Sequence, residues 1–192
     1  KAFQALLNSS GHESLDLGGR RVGLSEPLDL QAAVPNRTSY ATRRVIRNGQ
    51  FYAKDSSNWD SQEFTSLATY TASNPYQLTA IANVANIPVG AIVTGTGVGR
   101  EVYVREVNIG AGTLTLSLPL YDGEGTQNFT FTRHKYLLDF SGFDSISKFV
   151  IAGIEFQCSG RASGILLAPA GIAFAIEDCY LTRPKDRGIS SP

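Results

Sequence analysis

Between Phe149 and Ile189 the chain reads FVIAGIEFQCSGRASGILLAPAGIAFAIEDCYLTRPKDRGI, a series of short apolar runs closed by Gly, Ser or charged turns. Ile154 in AGIEF and Ile176 in FAIEDCY are 22 residues apart, and Ile165 in SGILL and Ile189 in RGI are 24 apart. Two interleaved repeats thus share one period. A period in the low twenties made of short apolar strands suits a solenoid, because each repeat can bury its apolar side only against the turns of chain above and below it. The stretch predicts a parallel β-helix. Alternate side chains then point inward, and Ile154, Phe156, Ile165, Leu167, Ile176 and Ile189 are expected to stack in ladders. Each fully buried one contributes about 1.5–3 kcal/mol.

Composition supports an all-β reading. The 192 residues are 42% hydrophobic, enough for a core, and 19 Gly with no Met beside strands rich in Val, Ile, Leu, Thr and Phe favour many tight turns over helices. Seventeen basic and seventeen acidic residues cancel. No global field draws in nucleic acid or an anionic membrane, so nucleic-acid binding is disfavoured, and no apolar run reaches bilayer-spanning length. Cys158 and Cys179 are 21 residues apart, which would set them at similar positions on adjacent coils, about 4.8 Å apart and within disulfide reach. The alternative is a pair of buried thiols. The chain starts without Met, shows no signal-peptide pattern at Lys1 and stops mid-pattern at GISSP; an excerpt of a longer protein is expected.

Taken in order, Lys1–Ser9 (KAFQALLNS) sets Ala2, Phe3, Leu6 and Leu7 at helical spacing, with Gly11 beyond as a stop signal. A short amphipathic helix here would cap the open end of the solenoid. Ser14–Leu30 (SLDLGGRRVGLSEPLDL) alternates Leu15, Leu17, Val22 and Leu24 with polar neighbours and forms a first coil; RRVIRNGQF, with Asn48-Gly49 as its turn, forms a second. From Ala53 to about Lys135 the period vanishes. Clean alternation takes over at Val102 and Val104, at Leu114, Leu116 and Leu118, and at Phe129 and Phe131, with turns at Gly95-Thr96-Gly97, Gly110-Ala111-Gly112 and Asp122-Gly123-Glu124-Gly125. The organisation expected is a cap and first coils over 1–52, an inserted antiparallel β module over 53–135 and continuing coils over 136–192.

The helix with its Gly-containing turn, followed by SLDLGGRRVGLSEPLDL, resembles the N-terminal signature of the pectate-lyase-like superfamily of right-handed parallel β-helices. In that superfamily the order is helix, short strand, Gly-rich turn, strand, Ser-X-Pro-Leu, strand. It occurs in secreted polysaccharide lyases and epimerases and in the tailspikes and fibres of bacterial viruses. The insert, IPVGAIVTGTGV and EVYVREVNIGAGTLTLSLPL, resembles a small β module of phage tail and virion proteins. The resemblance implies a right-handed solenoid and a virion setting; it says little about activity.

Polysaccharide lyases need a base beside a sugar carboxylate and a cation or metal for the resulting enolate. Arg183, Lys185, Asp186 and Arg187, between Leu181 and Gly188, concentrate such groups, against the alternative of a solvated turn. The longer arginine and aspartate motifs of pectate lyases are missing from this stretch. Glu177-Asp178 would point to opposite faces of a strand. His12 and His134 have no metal-ligand spacing around them, the GTGVG run lacks the Lys-Ser/Thr of a phosphate loop, and neither a metal nor a cofactor is implied. Arg37, Arg43, Arg44 and Arg47 form a basic cluster, either a site for an acidic glycan or a solvated face. Trp59, Tyr76, Tyr103 and Tyr121, in or near the insert, are candidate sugar-stacking aromatics; Tyr70 lies there too, and some of these rings must form the module's core.

Two functions compete. One is a spike or tail-fibre subunit of a phage or phage-like particle, a homotrimer that contacts other virion proteins and a host surface polysaccharide. The other is a polysaccharide lyase, hydrolase or epimerase of the same fold, secreted or virion-borne, acting on an acidic glycan.

Overall fold

The computed structural model describes all residues from Lys1 to Pro192. The chain is mostly β, with one short helix at its start, α1 (Ala2–Asn8). The strands that follow are β1 (Ser14–Leu24), β2 (Leu28–Asp29), β3 (Ser39–Tyr40), β4 (Arg44–Ala53), β5 (Gln62–Tyr70), β6 (Gln77–Thr79), β7 (Ile92–Thr94), β8 (Val104–Asn108), β9 (Thr113–Leu116) and β10 (Gly125–Arg133). Then come β11 (Tyr136–Asp139), β12 (Ser145–Ile146), β13 (Phe149–Gln157), β14 (Ser163–Leu166), β15 (Ala175–Glu177), β16 (Tyr180–Thr182) and β17 (Ile189–Ser190). They divide between two compact units, Lys1–Asp60 with Lys135–Ser191, and Ser61–His134.

In the first unit every strand pairing is parallel. One sheet runs β1-β4-β13, and β13 then pairs β15 and β16; a second runs β2-β11-β14-β17; a third pairs β3 with β12. The chain visits the first two sheets in the same order on each pass, and the third on the first two passes, so like residues meet. Leu15, Ile46, Ile151 and Ile176 share one column; Val22, Phe51, Phe156 and Leu181 share another; Leu28, Leu138, Ile165 and Ile189 share a third. Phe51 and Phe156 stack with ring centroids 5.9 Å apart, and both are fully buried. Ile165 and Ile189 therefore pair as their spacing predicts. Ile154 and Ile176 do not: Ile176 lies beside Ile151, while Ile154 lies beside Gly49.

The shift has a backbone cause. Asn48, Gly153 and Asp178, which follow the Arg47–Ala152–Glu177 row in register, all have positive φ (58°, 58° and 49°). Left-handed residues bend a strand at one level on successive passes, and only Gly adopts that conformation without a steric cost; Asn and Asp pay the least among the rest. Asn48-Gly49 is accordingly a corner inside β4, not a turn that ends it. On the outward side, Arg21 donates to Gln157 (2.9 Å) and lies over the Tyr52 ring, while Gln157 and Gln50 both donate to Glu155. The Gln157 and Gln50 hydrogen bonds hold the Glu155 carboxyl below its ordinary range. Any stability from that shift is present above the ordinary carboxylate range and fades as pH falls through it.

The helix is tied down from its C-terminal end. Leu6 and Leu7 are buried, and Phe3 packs on Phe51. The carbonyls a helix leaves open are taken by side chains: Arg44 Nε donates to Leu6 O (2.6 Å), Arg44 Nη2 to Ser9 O (2.8 Å), and Tyr40 Oη to Leu7 O (3.0 Å). A buried cation meets the negative end of the helix dipole. Of the four arginines of the basic cluster this removes two, since Arg44 is internal and Arg47 is paired with Asp16 at 3.0 Å, while Arg37 and Arg43 stay exposed.

Cys158 and Cys179 are not opposite one another. A spacing of 25 between partners sets Cys158 beside the Thr182–Arg183 link, and both cysteines are free thiols. Burial pushes the Cys158 thiol up to about 11, and burial raises Cys179 as well, though that side chain is only half-buried. Because the unfolded chain ionises these thiols first, their contribution to stability is intact below the ordinary thiol range and is lost as pH rises towards 11. At pH 8, iodoacetamide is expected to label Cys179 well before Cys158, as read by peptide mass mapping over time. Equal labelling rates would contradict the burial seen here.

The second unit is antiparallel throughout, in the order β7-β10-β5-β6-β9-β8. Its own core gathers Phe129 and Phe131 from β10, Leu114 and Leu116 from β9, and Val93, Val102 and Val104. Leu118, expected to continue that alternation, lies past the end of β9 and is exposed. Gly97 (φ 70°) marks a close approach: a Cβ there would collide with the Asp122 carbonyl.

Candidate functional site

In the first unit a cleft of about 320 Å³ is lined by Asp55, Ser56, Ser57, Trp59, Asp60, Gly160, Arg161 and Lys185. One wall is the loop that follows β4. Ser56 accepts a hydrogen bond from Asn58 N (3.2 Å), capping the short 3-10 turn Ser57–Trp59, and Trp59 enters the core, where its Nε1 donates to Lys54 O (3.0 Å). With the indole pinned inside, the flanking carboxylates Asp55 and Asp60 are left facing solvent. The other wall comes from the turn after β13 and from the loop after β16. Arg161 forms an ion pair with Asp55 (3.0 Å), and Lys185 anchors its own backbone on Ala162 O (2.9 Å) while its Nζ reaches Trp59 O (3.3 Å).

The cleft thus joins two carboxylates, two cations and two serine hydroxyls. Asp55 is neutralised by Arg161, whereas Asp60 makes no ion pair. A carboxylate that shares a cleft with a fixed ammonium can accept a proton or orient a sugar hydroxyl, and the Asp55–Arg161 pair can present a polar wall to a glycan.

Of the residues marked out in sequence as candidate acid–base groups, Lys185 alone reaches this cleft. Arg183 takes a left-handed conformation (φ 47°), and Asp186 pairs with Arg187 (2.9 Å), on a loop whose Asp186 and Arg187 amides both donate to the Ser163 hydroxyl. Asp55, Asp60 and Arg161 were not anticipated. They come from stretches about a hundred residues apart in sequence, and only the β4–β13 pairing reveals their proximity. Among the candidate stacking aromatics, Trp59 and Tyr103 are corrected: both are buried, at 1% and 5% exposure, and present no ring face to a ligand. Tyr76 and Tyr121, at 50% and 86%, do present one. No group of three or more His, Cys, Asp or Glu side chains is gathered as a metal site among the described residues. No helix is long and apolar enough to cross a membrane.

These features define a mostly β chain with a parallel unit, an antiparallel unit and a charged surface cleft. No family model matches the chain, and no curated protein matches it. Among solved structures it is similar to the tailspike of Acinetobacter baumannii bacteriophage AP22, solved in complex with A. baumannii capsular saccharide. The identity is 12%, the TM-score 0.30, and the match covers 91% of this chain and 32% of that one. The chain therefore spans about a third of the tailspike's length.

Proposed function

We propose that this chain is a right-handed parallel β-helix of the pectate-lyase-like kind, interrupted by a small antiparallel module, and that it serves as a spike or tail-fibre subunit of a phage or phage-like particle that holds a host surface polysaccharide. The observation that carries the reading is the repeated order of passes through parallel sheets: β1 to β2 to β3, β4 to β11 to β12, β13 to β14, then β16 to β17. Stacked coils of this kind make a stiff rod, which suits a fibre that must project a binding surface away from a particle. Exposed Tyr76 and Tyr121 on the antiparallel unit supply rings for sugar contacts. A homotrimer attached to other virion proteins is the assembly expected of such a spike. Sedimentation should give a trimer, and Tyr121→Ala should weaken retention on host polysaccharide. A strict monomer that ignores every host polysaccharide would overturn the reading.

The charged cleft favours a second reading, in which the same protein also cuts the glycan. Asp60 would take a proton or assist water while Lys185 and Arg161 steady developing negative charge. Incubation with a panel of bacterial polysaccharides should then release reducing ends or unsaturated sugars, and Asp60→Asn should slow release by about a hundredfold. Release that survives both Asp60→Asn and Lys185→Ala would exclude this cleft.

A further inference from the structure

A groove of about 550 Å³ runs beside β5 in the second unit. Its origin lies in an incomplete sheet. β10 pairs with β5 along all nine of its residues, but β6 meets β5 only at Thr69 and Tyr70. Beyond that point the loop leading through Val84–Asn86 takes the place of a strand, fastened to β5 by Ser66 Oγ donating to Ala82 O (3.2 Å). Ile81, Val84 and Ile87, three apart, are buried in the core. That spacing turns Asn83 and Asn86 outward, and the left-handed backbone at Asn83 (φ 57°) starts the turn that carries them. Across the groove Asn128 of β10 sits opposite Leu67 of β5, both exposed.

The chemistry of the walls is specific. Asn83, Asn86 and Asn128 have side chains with no hydrogen-bond partner within the protein, and each offers both a donor pair and an acceptor. Leu67, 55% exposed, supplies an apolar surface beside them. Glu63 is the one charged group in the lining, which contains no Lys, Arg or His. Such a groove has nothing to neutralise a uronate or phosphate, and Glu63 repels both. Three carboxamides around an apolar patch match a ligand dense in hydroxyl and acetamido groups with a C–H face. The volume of about 550 Å³ is in the general range of ligand sites.

We propose that this groove is a subsite for a neutral oligosaccharide, with Asn83, Asn86 and Asn128 bonding its hydroxyl or acetamido groups and Leu67 lying under a ring. The assignment rests on the glycan-attachment reading and narrows it to uncharged sugars and to one place on the antiparallel unit. An extended peptide added to the edge of β5 is the less favoured occupant, because the loop fastened by the Ser66–Ala82 bond already lies along that edge and turns carboxamide side chains to the groove.

The test uses the full chain, labelled with ¹⁵N and titrated with chitohexaose, maltohexaose, hexagalacturonate and an extended octapeptide. A neutral hexasaccharide should shift the amides of residues 63–67, 82–87 and 128, with little change from hexagalacturonate or the peptide. The double variant Asn83→Ala/Asn128→Ala should weaken that binding about tenfold while leaving the amide spectrum of the first unit unchanged. Equal response to hexagalacturonate, a response to the peptide alone, shifts confined elsewhere, or none from either neutral sugar would overturn the proposal. Retention on a panel of bacterial surface polysaccharides, measured in parallel, separates the two readings. If the wild type is retained and the double variant equally so, the groove assignment fails and attachment stands; if neither is retained, both fail.

Discussion

Phe156→Ala is expected to lower the stability of the first unit by about 3–5 kcal/mol, the cost of deleting a fully buried aromatic ring from a packed core. Phe156 has no exposed surface and stacks on Phe51, which is equally buried, within the column that begins at Val22 and ends at Leu181. The gap cannot be filled from the sides, because β4 and β16 flank β13 and hold its backbone on both. Trp59, the chain's sole tryptophan, is buried in this same core, so its fluorescence follows unfolding of the first unit. A urea midpoint that hardly moves would mean the column does not bear on stability. Phe51→Ala should behave alike, and the double variant should cost less than the two singles together, since each single already removes the shared stack.

Arg44→Leu is expected to cost about 2–4 kcal/mol, because it leaves the buried Leu6 carbonyl and the partly buried Ser9 carbonyl without their donors. Leu7 O keeps its bond from Tyr40. The loss should be concentrated at the N-terminus: hydrogen exchange across residues 1–9 should speed up more than exchange in β13. Lysine at the same position keeps the charge but cannot reach two carbonyls with a rigid fork, and should fall between. Uniform acceleration across the first unit would argue instead that the helix and the strands open together.

How far the sequence disclosed this structure depends on how local each cause was. The helix at Ala2–Asn8 follows from side-chain spacing within one turn, and the pairing of Ile165 with Ile189 follows from a repeat whose strands are both straight. Ile154 and Ile176 misled because AGIEF and FAIED look alike as strings. The left-handed corners at Gly153 and Asp178 place those isoleucines on opposite sides of the bend. Trp59 sits in SSNWDSQ, a polar run that reads as surface, and no local pattern says that the indole folds back to the Lys54 carbonyl. The charged cleft was illegible for another reason. Asp55 and Arg161 meet only because β4 and β13 are neighbours, and more than seventy residues of another unit lie between them in sequence. The groove amides were hidden likewise, since Asn83 and Asn128 converge through the β5–β10 pairing and through a loop where β6 stops short.

Gln62 and Arg133 are partners in the β5–β10 ladder, so the antiparallel unit begins and ends at adjacent points. During synthesis this matters for timing. Arg44 emerges 105 residues ahead of its partner Phe149, roughly 5–20 s at ordinary rates of translation, and through that interval β4 has a bare edge. All strand partners of the inserted unit lie within its own 61–134 segment, so it can close first. Once closed it draws its two ends together and shortens the loop that β4 and β11 must span, lowering the entropy cost of the β4–β13 pairing. The expected consequence is that the inserted unit, closing first, acts as a clasp for the nascent chain, and pulsed hydrogen exchange during refolding should protect β5 and β10 before β4 and β13.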